Sequence, residues 1–276
     1  MTTCYLVLNG CFFCYIGGMG SVRIVALCLV LLAMATSTMA EEPLTISRAW
    51  DDLGGWLTAP LHGTTTGWVA GAGSLGLTAL CYGYDRQWED GIKSWTERNG
   101  LEDSAEAATW LGNRYVVAGS IGTLGIISLL SDSRPLQEET WALGETVIYT
   151  SVLGEVLKKS SGRARPTQSK SPYDFHGPSL TYDAFPSGHA ILAGSLAGCL
   201  IRRHPVAEVI IPVSVAALAV GASRVMLGRH WPSDVAAGLA IGFCSGWTLG
   251  RPHQNIDYGF WYDGKSVGAQ LSIIIQ

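Results

Sequence analysis

Apolar residues along this chain gather in six long blocks, at 66–83, 115–130, 141–157, 189–201, 206–222 and 235–250. Each block is continuous rather than alternating and longer than a typical strand, which predicts helices. Between the first two, residues 85–108 are strongly charged with Trp88, Ile92, Trp95 and Leu101 interleaved, the pattern of a solvated helix or lid, and nothing in them points to chemistry. Ahead of them, 44–57 carries Ile46, Trp50, Leu53, Trp56 and Leu57 at helical spacing among polar residues. It reads as an amphipathic helix lying on the domain or on a membrane surface. In the last block Gly238, Gly242, Gly246 and Gly250 recur every fourth residue and make a smooth face on which a neighbouring helix packs closely. The tail beyond Arg251 is short and aromatic, with 269–275 either a strand or a packing segment. The fold class expected is all-α, a bundle of about six apolar helices embedded in a membrane, with the active site at one end. The blocks are near or below the roughly 20 residues that cross a bilayer, so a bundle that does not span stays open.

Composition strengthens the membrane expectation. Hydrophobic residues make up 48% of the 276 and charged residues 14%, against roughly 25% charged in soluble globular chains. A formal net charge of -4 and the lack of any long basic run speak against nucleic acid as a partner. Residues 19–40 have the form of a secretory leader: Arg23, an apolar run, then Thr38-Met39-Ala40 as a cleavage site before Glu41. The leader is assigned to 1–40, with Met19 an alternative start, and 41–276 to a single helical domain, since no linker divides it. Export follows, to a bacterial inner membrane or cell envelope, the periplasm included. After cleavage Cys81, Cys199 and Cys244 remain; scattered in apolar blocks, they read as buried structural thiols.

Three polar stretches interrupt the blocks. Ser223-Arg224-x5-His230-Trp231-Pro232-Ser233-Asp234 places a cation, an imidazole and a carboxylate at fixed offsets. Pro232 suits the first turn of a helix, which sets His230 at its mouth and Asp234 within its first turn. From there the carboxylate is placed to accept the Nδ1 proton of His230, leaving Nε2 as a free lone pair. Lys158 through Pro166 carries Lys158, Lys159, Arg163 and Arg165 where the third block ends. Ser187-Gly188-His189 opens the fourth: Ser187 is a natural N-cap, and Gly188 leaves first-turn N–H groups uncovered as an anion site. If the blocks alternate in direction, Lys158, Arg165, Ser187, Gly188, His189, Arg224, His230 and Asp234 meet on one face. Three cations, a helix start and two imidazoles describe a pocket for a tetrahedral oxyanion that needs no metal.

The sequence Lys158-x6-Arg165-Pro166, Pro186-Ser187-Gly188-His189, Ser223-Arg224-x5-His230-x3-Asp234 resembles the three-part signature of the type 2 phosphatidic acid phosphatase superfamily, which also includes class A acid phosphatases and vanadium haloperoxidases. The resemblance covers roughly 141–250. It implies that His230 attacks phosphorus to form a phosphohistidine, that Asp234 holds His230, and that His189 protonates the leaving group and then activates water. It implies further that Lys158, Arg165, Arg224, the Ser187 hydroxyl and the Gly188 N–H bind the phosphoryl oxygens, with no metal and no cofactor. The expected substrate is a phosphomonoester or pyrophosphate of a membrane lipid; a soluble exported acid phosphatase and a vanadate-dependent haloperoxidase are the alternatives. Lys159, Arg163 and Arg229 stand outside the signature, either drawing in a polyanionic head group or solvated. If the leader is cleaved and all six blocks span, the active face falls on the cytoplasmic side, which conflicts with an outward-facing exported enzyme.

Overall fold

The computed structural model describes residues 46–251 and, as backbone, 256–262 and 267–273. The leader expected at 1–40 lies outside the described residues. The amphipathic segment is α1, Ile46–Thr58, followed by a 3-10 turn at Ala59–His62. After it come α2 Thr65–Arg98, α3 Glu102–Trp110, α4 Arg114–Leu130, α5 Arg134–Ser161, α6 Gly188–Arg203, α7 Ala207–Met226 and α8 Pro232–Leu249. Each of the six apolar blocks therefore forms a helix. In the tail, of the two expectations for 269–275, a strand or a packing segment, the strand is found: β1, Ile256–Tyr262, pairs antiparallel with β2, Val267–Ile273.

α2 is the large surprise, because it runs through the end of the first apolar block into the charged stretch without a break. Nothing before Asn99-Gly100 stops it; there Gly100 takes a positive φ of 62° and the chain turns into α3. Its charged half is no solvated lid, for Asp85, Glu89 and Thr96 are buried while Trp88 and Trp95 face outward. α5 ends where Gly162 adopts φ 55° and donates its N–H to the Lys158 carbonyl. A Cβ there would strike the Gly177 carbonyl, so the loop 166–183 folds back against the end of α5 only because residue 162 is glycine.

The glycine row of α8 packs as expected. Gly238 faces Ser187, Gly242 faces Ile191, Gly246 faces Ser195 and Gly250 faces Cys199, a register in which α6 and α8 run parallel. A Cβ on Gly238 would lie 2.7 Å from the Ser187 carbonyl oxygen, so side chains there would push the helices apart. The consequence is positional: the starts of α6 and α8, with their histidines, are locked side by side. Cys81 and Cys199 are buried as expected, but Cys244 is exposed, since it lies on the face of α8 opposite the glycine row.

Apolar side chains cover much of the bundle's exterior, and its interior mixes apolar clusters with buried polar groups. On α5, Glu138, Glu139, Glu145, Thr146 and Thr150 are buried, whereas Ile148, Val152 and Val156 are 60%, 61% and 56% exposed. α7 likewise presents Ile211, Val215 and Leu218 outward. By length and composition α7 is apolar enough to cross a membrane, and α3 with α4, bent by 42°, passes as a pair.

Candidate active site

The end of α5, the start of α6, the end of α7 and the start of α8 meet at one end of the bundle, and the eight expected residues come together there. Lys158 is buried in the last turn of α5, its Nζ 3.1 Å from where a Cβ on Gly188 would stand, so glycine lets the ammonium approach the α6 start without shifting. Arg224, in the last turn of α7, donates from Nη1 to Thr109 Oγ1 at 3.3 Å, while its Nε is buried without a hydrogen bond among the described residues. His189 is partly exposed at the start of α6, within electrostatic reach of Lys158, Arg224 and His230. Ser187 occupies the N-cap position, but its hydroxyl caps nothing: Oγ is buried and unpartnered, while its N–H donates to the Asp234 carbonyl at 2.9 Å and its carbonyl accepts the Ile191 N–H at 2.9 Å. Arg165 is shared between the pocket and Asp183, whose carboxylate its Nε and Nη2 grip at 2.8 and 3.0 Å. Burial alone would raise the Asp183 carboxyl, yet the hydrogen bonds and charge of Arg165, aided by Lys158 and His230, hold it below the usual carboxylate range.

Behind this pocket His230 is 1% exposed, and its orientation differs in detail from the expected one. Nδ1 lies 2.9 Å from the Ala184 carbonyl oxygen and 3.5 Å from Asp234 Oδ2. A carbonyl only accepts, so Nδ1 carries the proton and Nε2 keeps its lone pair. The expected tautomer holds with a different acceptor; Asp234 supplies charge nearby rather than the shorter bond. Burial pushes the His230 imidazole below its ordinary value of 6.5, with Arg165 and Arg224 adding to the push and Asp234 opposing it.

Asp234 is itself engaged on both oxygens. Oδ2 accepts the Trp231 N–H at 2.9 Å, and Oδ1 takes Arg163 Nη1 at 2.5 Å. Arg163 thus neither faces the pocket nor is solvated. It is wholly buried, bonded also to Ser233, Asp85 and the Pro172 carbonyl. Lys159 and Arg229 are surface residues, beside Glu155 and Glu106 respectively. Asp85 and Thr109 went unseen in the sequence. Thr109 is one hydroxyl in a charged stretch, and Asp85 is one carboxylate in α2; their partners lie 115 and 78 positions away.

A helical bundle that gathers cations and two imidazoles at one end is the architecture the three motifs imply. Residues 139–256 match the model of the PAP2 superfamily, and the chain carries a domain of that superfamily. Over 112 residues it is 37% identical to the lipid A 1-phosphatase of Rhizobium etli, a match covering 37% of this chain and 44% of that protein. Over 91 residues it is 37% identical to the undecaprenyl-diphosphatase of Sulfolobus acidocaldarius, covering 33% and 44%. The chain spans less than half the length of these curated relatives. A solved transmembrane PAP2 type phosphatidylglycerolphosphate phosphatase from Bacillus subtilis aligns over 84% of this chain and 94% of its own, at 20% identity and a TM-score of 0.40. All eight motif residues and Arg163 lie inside the matched stretch; Asp85 lies outside it.

Proposed function

We propose that this chain is a metal-independent phosphatase that hydrolyses a phosphomonoester or pyrophosphate of a membrane lipid through a phosphohistidine on His230. The observation that carries the reading is the division around that ring. Nδ1 is committed to a backbone carbonyl, so Nε2 is the nucleophilic atom, while Arg224 Nε and Ser187 Oγ are buried at the same end with hydrogen bonds still to make. Buried donors without partners cost free energy that a phosphoryl group would return.

In the forward step Nε2 attacks phosphorus and the bond to the leaving oxygen breaks. Lys158, Arg165 and Arg224 with the Gly188 N–H hold the other phosphoryl oxygens, and His189 gives the leaving oxygen its proton. His189 then takes a proton from water as that water attacks the phosphohistidine, which releases phosphate and restores both rings. Among the described residues no three His, Cys, Asp or Glu side chains are grouped to hold a metal, so the cations are the groups available to carry developing charge.

A lipid substrate is supported by the apolar exterior of α2, α4, α5 and α7 and by the substrates named for the relatives, lipid A and undecaprenyl diphosphate. A membrane-embedded, exported single domain over 41–276 is the arrangement that goes with it. Acid-quench trapping with radiolabelled lipid phosphate should show an acid-labile, base-stable phosphoenzyme that His230→Ala abolishes, with turnover that survives a chelator. Label on another residue, activity restored only by Mg²⁺, or extraction needing no detergent would each sink the corresponding part. N-terminal sequencing of the mature protein tests cleavage after Ala40.

A further inference from the structure

Asp85 and Arg163 take no part in the chemistry of the three motifs, yet both have 0% exposed side chains and touch at 2.6 Å. Desolvating such a pair is costly, and it adds little net stability over apolar side chains of equal volume. What it supplies is direction. Arg163 has five N–H donors and all five are used: Nε and Nη2 on the Pro172 carbonyl, Nη2 also on Asp85, and Nη1 on both Ser233 Oγ and Asp234 Oδ1. The rings of Tyr82, Phe175 and Trp231 surround its guanidinium, with centroids 5.3, 5.2 and 5.9 Å away. A planar fork so enclosed has one orientation.

Asp85 reaches from α2 to the first turn of α8, where helical N–H groups have no acceptor of their own. Its Oδ1 accepts the Ser233 N–H at 2.7 Å, and its Oδ2 stands 2.6 Å from Ser233 Oγ. A carboxylate from a distant helix therefore does the work of an N-cap, in the place where the helix dipole favours it. Asp85 and Arg163 together hold the backbone before Asp234 and one of its two oxygens. Only Oδ2 remains, directed at the Trp231 N–H and His230 Nδ1.

We propose that Asp85 and Arg163 are positioning residues that aim the His230 ring through Ser233 and Asp234, a role that rests on His230 being the nucleophile. Without the Asp85 charge, Arg163 answers to Asp234 alone and draws its carboxylate away from His230, so Nε2 loses its line to phosphorus. The phosphoryl cradle is built from other groups and keeps its affinity.

The test uses the full chain in detergent, with Asp85→Asn as the first variant. The expected result is a ten- to hundred-fold fall in kcat with KM and inhibition by inorganic phosphate within two-fold of the parent. Orthovanadate, which adds an axial bond from Nε2, should weaken at least ten-fold, and the Asp85→Asn, Asp234→Asn double variant should be no slower than Asp234→Asn. Ser233→Ala, which removes one hydroxyl and keeps the N–H, should show the same pattern at three- to ten-fold and serves if Asp85→Asn does not fold. Unchanged kcat, phosphate and vanadate weakened together, or losses that multiply with Asp234→Asn would overturn the proposal. The ratio of vanadate to phosphate binding needs no turnover. A parent that hydrolyses no lipid phosphate but changes this ratio on Asp85→Asn would thus refute the assigned reaction and leave the positioning intact.

Discussion

Arg163 and Arg165 are separated by a single residue and live in opposite conditions. The first has no exposure and every donor matched to protein; the second is 25% exposed and holds one carboxylate. The contrast extends to the regions they belong to. Behind His230, Asp85, Arg163, Ser233 and Asp234 bond to one another and, through the Pro172 carbonyl and the Trp231 N–H, find partners for the rest. In front, Arg224 Nε and Ser187 Oγ are buried with nothing to bond among the described residues. A saturated network fixes geometry, and an unsaturated one stores affinity for something else. The two regions should therefore fail differently when cut.

The largest expected effect is on stability, behind the ring. Arg163→Met strands two buried carboxylates and should cost about 3–5 kcal/mol, read by denaturation in detergent. Arg224→Met, in front, should abolish turnover yet leave stability within about 1 kcal/mol, because it removes a cation whose hydrogen-bonding capacity is partly unspent. Equal destabilisation by both would erase the distinction between the regions.

Next come Arg165→Lys and Arg224→Lys. Each keeps the charge but turns a two-pronged donor into a point, and each should lower kcat/KM about 10²-fold or more. Near-parent kinetics in either would remove that arginine from the pocket.

Acid dependence sharpens the comparison. Since burial lowers the His230 ionisation from 6.5, the ring stays neutral and nucleophilic down to more acid pH, and activity is lost as pH falls through that lower value. Asp234 opposes the lowering, so Asp234→Asn should move the acid limb of kcat/KM further down; comparing variant with parent cancels ionisation of the substrate. A shift toward neutral pH would contradict the charge arrangement around the ring.

The smallest effect concerns Asp183. Asp183→Asn keeps an acceptor for Arg165 and removes a negative charge from the mouth of the pocket, so inorganic phosphate should inhibit about two- to five-fold more tightly. Weaker inhibition would show that the carboxylate is needed to hold Arg165.

Much of this was legible in the residues themselves. Apolar blocks of helical length become helices because the backbone must satisfy its own hydrogen bonds wherever the surroundings are apolar. The spacing of Gly238, Gly242, Gly246 and Gly250 foretold a close helix contact, since a row without side chains has one use that a core or membrane rewards. The motif residues could be gathered by counting reversals of direction. Asp85 could not, because nothing local separates it from the solvated acids of the same helix, such as Asp90.

The sequence by itself determined which chemistry is available: two imidazoles, three cations and a helix start, delivered to one end by alternating helices. It also led to the expectation of a free Nε2 on His230, although by way of Asp234 and not of the Ala184 carbonyl that takes the Nδ1 proton. Which acceptor takes the Nδ1 proton, and which arginine faces phosphate and which supports the nucleophile, only the tertiary structure decided. Those properties depend on burial and on partners brought from 46 to 148 positions away, and no spacing along the chain encodes the packing of α2 against α8.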